Sequence, residues 1–297
     1  MEFPYHYGVI KLIIRLLQHL SLINIQRVGA FLGLLAYIGS RSYRERLKTN
    51  LTQAANIYGF AAAPWEAAKG AGMMLADSLW IWTNPKEALS LTKTPNWDVV
   101  TQAINEGKGL IVITPHIGAF EIIPRVLAEY FPATILYRPA KQSWLNEIIE
   151  QGRMHPKMNF APANLQGVRE LARALHRGET VGLLPDQVPG VGDGLWVKFF
   201  GRYAYTAVLP AKIASRNNIP TVYFSAARLD KGQGWVVEVE RMQEEFSNDP
   251  IIAATQLNKE LEKVIVKYPN QYLWGYNRYK HPRGAALPPK DDPEVNS

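Results

Sequence analysis

The chain has 297 residues, of which 47% are hydrophobic, so it is long and apolar enough to bury a large core. It contains no cysteine, which excludes disulfides, thiolate nucleophiles and cysteine zinc sites. The six histidines show no metal-ligand spacing, and we therefore expect neither a metal nor another cofactor. The formal net charge of +7 suits an anionic membrane surface, an acidic protein or nucleic acid as a partner.

The N-terminal 40 residues are strongly apolar but interrupted by charges. On a helix, Lys11, Arg15 and Gln18 would share one narrow polar stripe, a pattern typical of a helix lying in a bilayer interface. The uncharged run from residue 28 to residue 40 is shorter than the ~20 residues of a usual transmembrane helix. We interpret residues 1–40 as a membrane-associating helical segment without a cleavable signal peptide; the alternative is a pair of core helices.

The rest of the chain alternates between helical and strand patterns. Helical periodicity covers residues 42–57, 65–82 and 96–106, and helical windows then alternate with the β-rich runs GLIVIT, ATILYR, TVGLLP and PTVYFSAARL. This order predicts an α/β fold with a mixed, largely parallel central sheet flanked by helices. We predict one catalytic domain over residues 41–284, followed by a disordered tail over residues 285–297.

A histidine stands where the first buried strand ends, in the run LIVITPHIGAFE. Ligands of such sheets bind at the carboxyl ends of the strands. Gly118 would let the loop turn, and Glu121 would lie in the first turn of the next helix, within reach of His116. A carboxylate on one ring nitrogen leaves the other nitrogen free to act as a base. The alternative is an ordinary loop histidine and a glutamate that interacts with the helix dipole.

Further candidates follow the next strands. Arg138 and Arg153 could reach the same site and bind phosphate or carboxylate, or could simply be solvated or paired with a helix acid. Asp186 begins a glycine-containing loop that has neither Walker nor GxGxxG spacing, so nucleotide binding is not indicated. Phe199 and Phe200 could line an acyl channel, rest on the bilayer or belong to the core.

Several segments resemble one protein family in order along the chain. His116 with the glutamate five positions later is similar to the motif of the glycerolipid and lysophospholipid acyltransferases, and its surroundings resemble the lipid A biosynthesis acyltransferases of lauroyl or myristoyl type. Similar segments are RERLKTNL, LYRPAKQSWLNEIIEQGR, LLPDQVPGVGDGLWVKFFG, YTAVLPAKIASRNNIPTV and YPNQYLWGYNRYK. The sequence departs from the family at Phe120, where tryptophan is usual, and at Tyr276 and Asn277, where a histidine-arginine pair is more common.

The resemblance implies an O-acyltransferase that needs no covalent acyl-enzyme. The donor would be an acyl chain on acyl carrier protein, or less often coenzyme A, and the acceptor a hydroxyl of a lipid A precursor. His116 would be the general base and Glu121 its orienting residue. The substrate-binding residues implied are Arg138, Arg153, Asp186, Gln187, Phe199, Phe200, Gly201 and Thr206.

Other functions stay open at this point. The acceptor could be another glycolipid, a lysophospholipid or an amino-acid lipid, and a non-catalytic protein that binds lipid at a membrane surface is the alternative from a different class. Nucleic-acid binding is disfavoured because no recognised module accompanies the basic, aromatic segment near Arg278. As a family member the protein would lie on the cytoplasmic face of a Gram-negative inner membrane, in contact with its lipids, with acyl carrier protein as a partner.

Overall fold

A computed structural model describes residues 17–140 and 142–290 of the chain. Seven strands form one sheet, and two further strands form a separate hairpin. The strands are β1 (Thr92–Lys93), β2 (Leu110–Ile113), β3 (Ala133–Tyr137), β4 (Met158–Pro162), β5 (Thr180–Leu183), β6 (Gly194–Phe199), β7 (Arg202–Ala207), β8 (Thr221–Arg228) and β9 (Trp235–Arg241). The sequence-based candidates Lys11 and Arg15 lie outside the described residues.

The helices alternate with these strands after an N-terminal helical region. They are α1 (Leu22–Gly39), α2 (Arg41–Tyr58), α3 (Pro64–Thr83), α4 (Pro85–Ser90), α5 (Asp98–Ile104), α6 (Ile122–Tyr130), α7 (Ser143–Arg153), α8 (Leu165–His176), α9 (Leu209–Asn217) and α10 (Pro250–Lys267). Local signals set several ends: the Ser40 side chain accepts a hydrogen bond from the Tyr43 amide, and Gly59 ends α2 in the left-handed conformation. The helices predicted over 42–57 and 65–82 are α2 and α3.

The large sheet has the strand order β1-β9-β8-β2-β5-β3-β4, and its pairs are parallel except for β8 with β9. The predicted mixed, largely parallel sheet is confirmed. Strands β2 and β5 are central and completely buried, which agrees with their continuous apolar runs. Both strands end at the same edge, so the loops after Ile113 and Leu183 are brought together there.

Two hydrophobic clusters cover the two faces of this sheet. Because successive strand residues point to opposite faces, Ile111 and Ile113 belong to one cluster and Leu110 and Val112 to the other. The first cluster contains residues of α2, α10 and the β6–β7 hairpin, and the second contains residues of α1, α3 and α6. Helices therefore flank the sheet on both sides, as predicted for an α/β protein.

Helix α1 packs closely on α3 through small residues. A Cβ atom at Gly33 would lie 2.2 Å from the carbonyl oxygen of Ala68, and one at Gly29 would lie 2.6 Å from that of Gly72. In the described part of the chain, α1 is the single helix that is long and apolar enough to cross a membrane by length and composition. The predicted tail begins inside the described residues, where the Ala286 carbonyl accepts a hydrogen bond from the Trp196 indole at 2.7 Å.

Candidate active site

His116 lies on the loop that joins β2 to α6, at the carboxyl edge of the sheet. Gly118 in this loop has a φ of +55°, and a Cβ atom there would lie 2.0 Å from the carbonyl oxygen of Ala226. The loop is also held by the C-terminal segment: the Gly118 amide donates to Gln271 at 2.9 Å and the Leu273 amide donates to His116 at 3.3 Å. The position of His116 is therefore set by backbone contacts on two sides.

The carboxylate that pairs with His116 is Asp186. Its Oδ1 lies 2.7 Å from His116 Nδ1, and its Oδ2 accepts the backbone N–H of His116 at 2.9 Å. The expected contact between His116 and Glu121 was wrong, because the carboxylate of Glu121 points to a different partner. Asp186 follows β5, and since β5 pairs in parallel with β2, the two loops meet at the same edge of the sheet.

Glu121 forms a buried ion pair with Arg153 at the end of α7. Arg153 Nε donates to Glu121 Oε2 at 2.9 Å, and Arg153 Nη2 donates to Oε1. The Trp82 indole donates to the same carboxylate at 3.0 Å. Glu121 thus ties the start of α6 to α3 and α7, and a two-pronged arginine contact of this kind fixes orientation as well as charge.

A second charged group lies behind Asp186. Arg278 is buried; its guanidinium donates to the Tyr205 carbonyl and to the Thr206 hydroxyl, both at 2.8 Å. Burial alone would raise the pKa of Asp186, but its interaction with His116, its hydrogen bonds and the charge of Arg278 outweigh burial and lower that pKa. Asp186 is therefore held ionised beside the imidazole.

A cavity of about 370 Å³ opens in front of His116. Arg138, Arg153 and Gln187 line it together with apolar residues, and Gln187 Nε2 lies 3.3 Å from His116 Nε2. Within the described residues Arg138 is exposed and has no hydrogen bond or ion pair. This cavity therefore brings positively charged side chains and His116 together in one lining.

A second, apolar cavity of about 480 Å³ lies between α1 and α3 and reaches the same histidine. Its walls include Leu32, Met74 and Leu75, and His116 and Phe120 also line it. The Phe120 ring contacts the imidazole edge to face, with 4.9 Å between ring centroids. His116 consequently stands between a space with arginine side chains and a space suited to an alkyl chain.

The structure does not bring the candidates of the β6–β7 hairpin to these cavities. Phe200 and Gly201 form its two-residue turn, with φ of +46° and +78°, as a type I′ hairpin turn requires. Phe199 and Phe200 are buried in the core, and Thr206 binds Asn258 and Arg278. Of the alternatives considered for the two phenylalanines, core packing is the one observed, since the turn directs their side chains into the core.

The sequence did not indicate several residues that support the site although they lie far from His116 along the chain. Trp82 lies on α3, and Tyr272 and Gln271 belong to the segment after α10. Burial, reinforced by the charge of Asp186, raises the pKa of the Tyr272 phenol well above its usual value. The segment YPNQYLWGYNRYK was noticed for its resemblance to the family and for its charge and aromatics; its Tyr276 hydroxyl accepts the Val188 amide at 3.0 Å and so supports the Asp186 loop.

Comparison with known proteins gives the class of enzyme. The model of the family of bacterial lipid A biosynthesis acyltransferases matches residues 7–281. The chain belongs to this family, as the resemblance implied, and is an acyltransferase of lipid A biosynthesis by class.

Three relatives show the range within this class. The chain is 26% identical over 212 residues to the lipid A biosynthesis palmitoleoyltransferase of Escherichia coli K12, a match that covers 70% of this chain and 68% of that protein. It is 24% identical over 221 residues to the lipid A biosynthesis lauroyltransferase of the same strain, covering 73% and 71%. It is 29% identical over 187 residues to a lipid A biosynthesis acyltransferase of Haemophilus influenzae, covering 59% and 55%.

Proposed function

We propose that this protein transfers a fatty acyl chain from a thioester on acyl carrier protein to a hydroxyl of a lipid A precursor, with His116 as general base. The observation that carries the proposal is the 2.7 Å contact between His116 Nδ1 and Asp186, which leaves Nε2 beside the cavity that Arg138 lines. Asp186 takes the orienting role that the sequence suggested for Glu121.

The reaction needs one proton transfer in each direction. His116 Nε2 removes the proton of the acceptor hydroxyl as its oxygen attacks the thioester carbonyl carbon. The ionised Asp186 fixes the tautomer with the proton on Nδ1 and stabilises the imidazolium. When the carbon-sulfur bond breaks, the imidazolium returns the proton to the departing thiolate, and ester and free thiol are released. No acyl-enzyme forms on this route.

The arginines of the polar cavity suit a phosphorylated acceptor. Arg138 is free to bind a phosphate, and Arg153 keeps its position through Glu121. We assign Glu121 a positioning role, because it touches Arg153 and Trp82 but not His116. The acyl chain would occupy the apolar cavity between α1 and α3.

The net charge of the chain suggests the acyl donor, and the donor in turn suggests where in the cell the enzyme acts. A net charge of +7 suits an acidic carrier protein as donor; coenzyme A is the alternative donor. Acyl carrier protein is a cytoplasmic donor, so we place the enzyme on the cytoplasmic face of the inner membrane, associated through its apolar N-terminal region. The palmitoleoyl- and lauroyltransferases among its relatives differ in chain length, so family membership leaves the length of the chain open.

The test is acyl transfer from radiolabelled acyl carrier protein to a tetra-acylated lipid A precursor by the purified, detergent-solubilised protein. We expect His116→Ala and Asp186→Asn to lower the rate by roughly 10²- to 10⁴-fold, the usual worth of general-base assistance. His176→Ala, at an exposed histidine on α8, is the matched control and should keep the native rate.

The substitution Glu121→Gln distinguishes the role of Glu121 from that of Asp186. It weakens the contact with Arg153, and we expect a higher KM for the acceptor with a smaller loss of kcat than in Asp186→Asn. Full activity in His116→Ala would disprove the mechanism. A native protein that is inactive with the lipid A precursor but active with a lysophospholipid or an amino-acid lipid would keep the mechanism and change the acceptor.

A further inference from the structure

Helix α1 exposes a continuous apolar face. Val28, Phe31, Leu35 and Ile38 recur every three or four residues and therefore share one side of the helix; Phe31 is 60% and Ile38 70% exposed. Leu75 of the adjacent α3 is 73% exposed. Single exposed apolar residues are common, but a row of them on one helix marks a surface for an apolar partner.

The opposite side of α1 is fixed to the catalytic domain. Gly29 and Gly33 allow contact of the helix backbones with α3, and Gln26 donates to the buried Asp77 at 2.8 Å. Asp77 in turn accepts Arg228 Nε of β8 at 2.6 Å. A bilayer-spanning α1 would drag this charged network and the sheet to the depth of the hydrocarbon, where charges are costly. The 18 residues of α1 also reach only about 27 Å, less than the ~30 Å of a bilayer core.

Basic residues are frequent in the chain from the apolar face of α1 into α2. Between residues 27 and 48 the chain has five basic residues and a single acid, Glu45. Arg27 lies at the edge of the face and is exposed, and Arg41 and Lys48 are exposed on the helix that follows. Basic groups near an anionic lipid surface are attracted to its headgroups. The charge pattern thus fits lipid headgroups around an inserted apolar strip.

The face adjoins the apolar cavity of the active site. Val28 and Leu32 of α1 and Leu75 of α3 line that cavity, and His116 lines it too. An alkyl chain that leaves a bilayer at this face would therefore enter a cavity that His116 lines.

We propose that α1 lies in the plane of an anionic bilayer surface, with the side chains of Val28, Phe31, Leu35, Ile38 and Leu75 immersed and with both helix ends on the same side of the membrane. The orientation rests on the fold and on surface chemistry. Only the entry of substrate chains between α1 and α3 rests on the proposed function.

The absence of native cysteine makes the orientation directly measurable, since an introduced thiol is the sole one. Asn24→Cys and Gly39→Cys mark the two ends of α1 at exposed positions, and a Cβ at Gly39 meets nothing within 4 Å. Each full-length variant is labelled with a membrane-impermeant maleimide in spheroplasts and in inverted inner-membrane vesicles. We expect both thiols to react in inverted vesicles and neither in spheroplasts. One thiol reacting from each side would show a spanning helix and overturn the proposal.

The inserted face is tested with preformed vesicles and the purified full chain. In flotation with phosphatidylethanolamine and phosphatidylglycerol vesicles, Phe31→Glu/Ile38→Glu should bind at least about tenfold more weakly than the native protein. Leu165→Glu, at a residue of α8 that is 66% exposed, is the matched control and should bind normally. Circular dichroism checks that the variants are folded. Native binding by the double variant, or equal binding of the native protein to neutral phosphatidylcholine vesicles, would contradict the proposal. Neither readout needs enzymatic activity, so failure of the proposed reaction would leave it intact.

Discussion

At the scale of single residues, the charge of Arg278 is one of the features that lower the pKa of Asp186. Arg278 is buried, and its Nε has no hydrogen-bond partner within the described residues. Burial lowers the pKa of Arg278 while nearby Tyr272, Tyr279 and Asp186 raise it. A buried cation of this kind is energetically costly unless a nearby carboxylate compensates its charge.

Replacing this cation should change the pH dependence of the reaction. The pKa of Asp186 is lowered in the folded protein, so the ionised carboxylate is present above its usual pKa and is lost as the pH falls through the lowered value. The substitution Arg278→Met removes one of the causes that lower the pKa of Asp186. We expect the pH at which activity is lost on the acid side to rise. The measurement is kcat/KM against pH.

Arg278→Lys is the control for this prediction. It keeps a positive charge but loses the two directed hydrogen bonds to Tyr205 and Thr206. We expect a lower rate with the acid-side pH of activity loss close to the native one. If both variants lost rate equally without any displacement along the pH axis, Arg278 would act only in packing.

At the scale of elements, the turn from β2 to α6 carries His116, the proposed base, and Gly118 decides the shape of this turn. Gly118→Ala would place a Cβ atom 2.0 Å from a backbone oxygen at a positive φ, so the loop would have to move. We expect a loss of at least about 3 kcal/mol in the free energy of unfolding and a matching loss of activity. Urea denaturation and the transfer assay measure the two effects.

Gly107→Ala supplies the comparison. Gly107 also has a positive φ, +72°, but a Cβ atom there would meet nothing within 4 Å. The conformational cost alone is about 1 to 2 kcal/mol, and the active site should be unaffected. Equal losses of stability and activity in the two variants would mean that the close approach to Ala226 has no role in placing His116.

At the scale of the whole molecule, the sequence predicted what depends on local patterns. Helices α2 and α3 and the buried strand β2 follow from periodicity and composition, which are properties of neighbouring residues. The partner of His116 did not follow, because Asp186 is 70 positions away and the contact depends on the pairing of β2 with β5. Glu121 was chosen because it is near in sequence, yet α6 directs it to Arg153.

The same distinction applies to the aromatic and basic residues. Phe199 and Phe200 have the composition of a lipid channel, but the hairpin turn at Phe200 and Gly201 places them in the core. Arg278 was noticed as surface charge, whereas it is buried. A single sequence gives the chemical type of a side chain, but the tertiary fold decides whether that side chain lies in the core or at the site.

One buried network joins the N-terminal helices to the sheet and offers a test of the molecule as a unit. Asp77 of α3 accepts hydrogen bonds from Gln26 of α1 at 2.8 Å and from Arg228 of β8 at 2.6 Å. Arg228 also connects to the site, because its backbone amide and carbonyl bind the side chain of Gln271. Both charged side chains are almost inaccessible to water. The network therefore couples the packing of α1 and α3 to the segment that holds the His116 loop.

Breaking this pair on one side should destabilise the whole fold. Asp77→Leu leaves the Arg228 guanidinium buried without a carboxylate, and we expect the free energy of unfolding to fall by about 3 to 5 kcal/mol. Asp77→Leu/Arg228→Met removes both charges and should recover a large part of this loss, since no uncompensated charge remains. Urea unfolding of Asp77→Leu, Arg228→Met and the double variant, each compared with the native protein, completes the double-mutant cycle. Additive losses would show that Asp77 and Arg228 stabilise the protein independently, and the coupling of α1 and α3 to the sheet would then have to come from apolar packing.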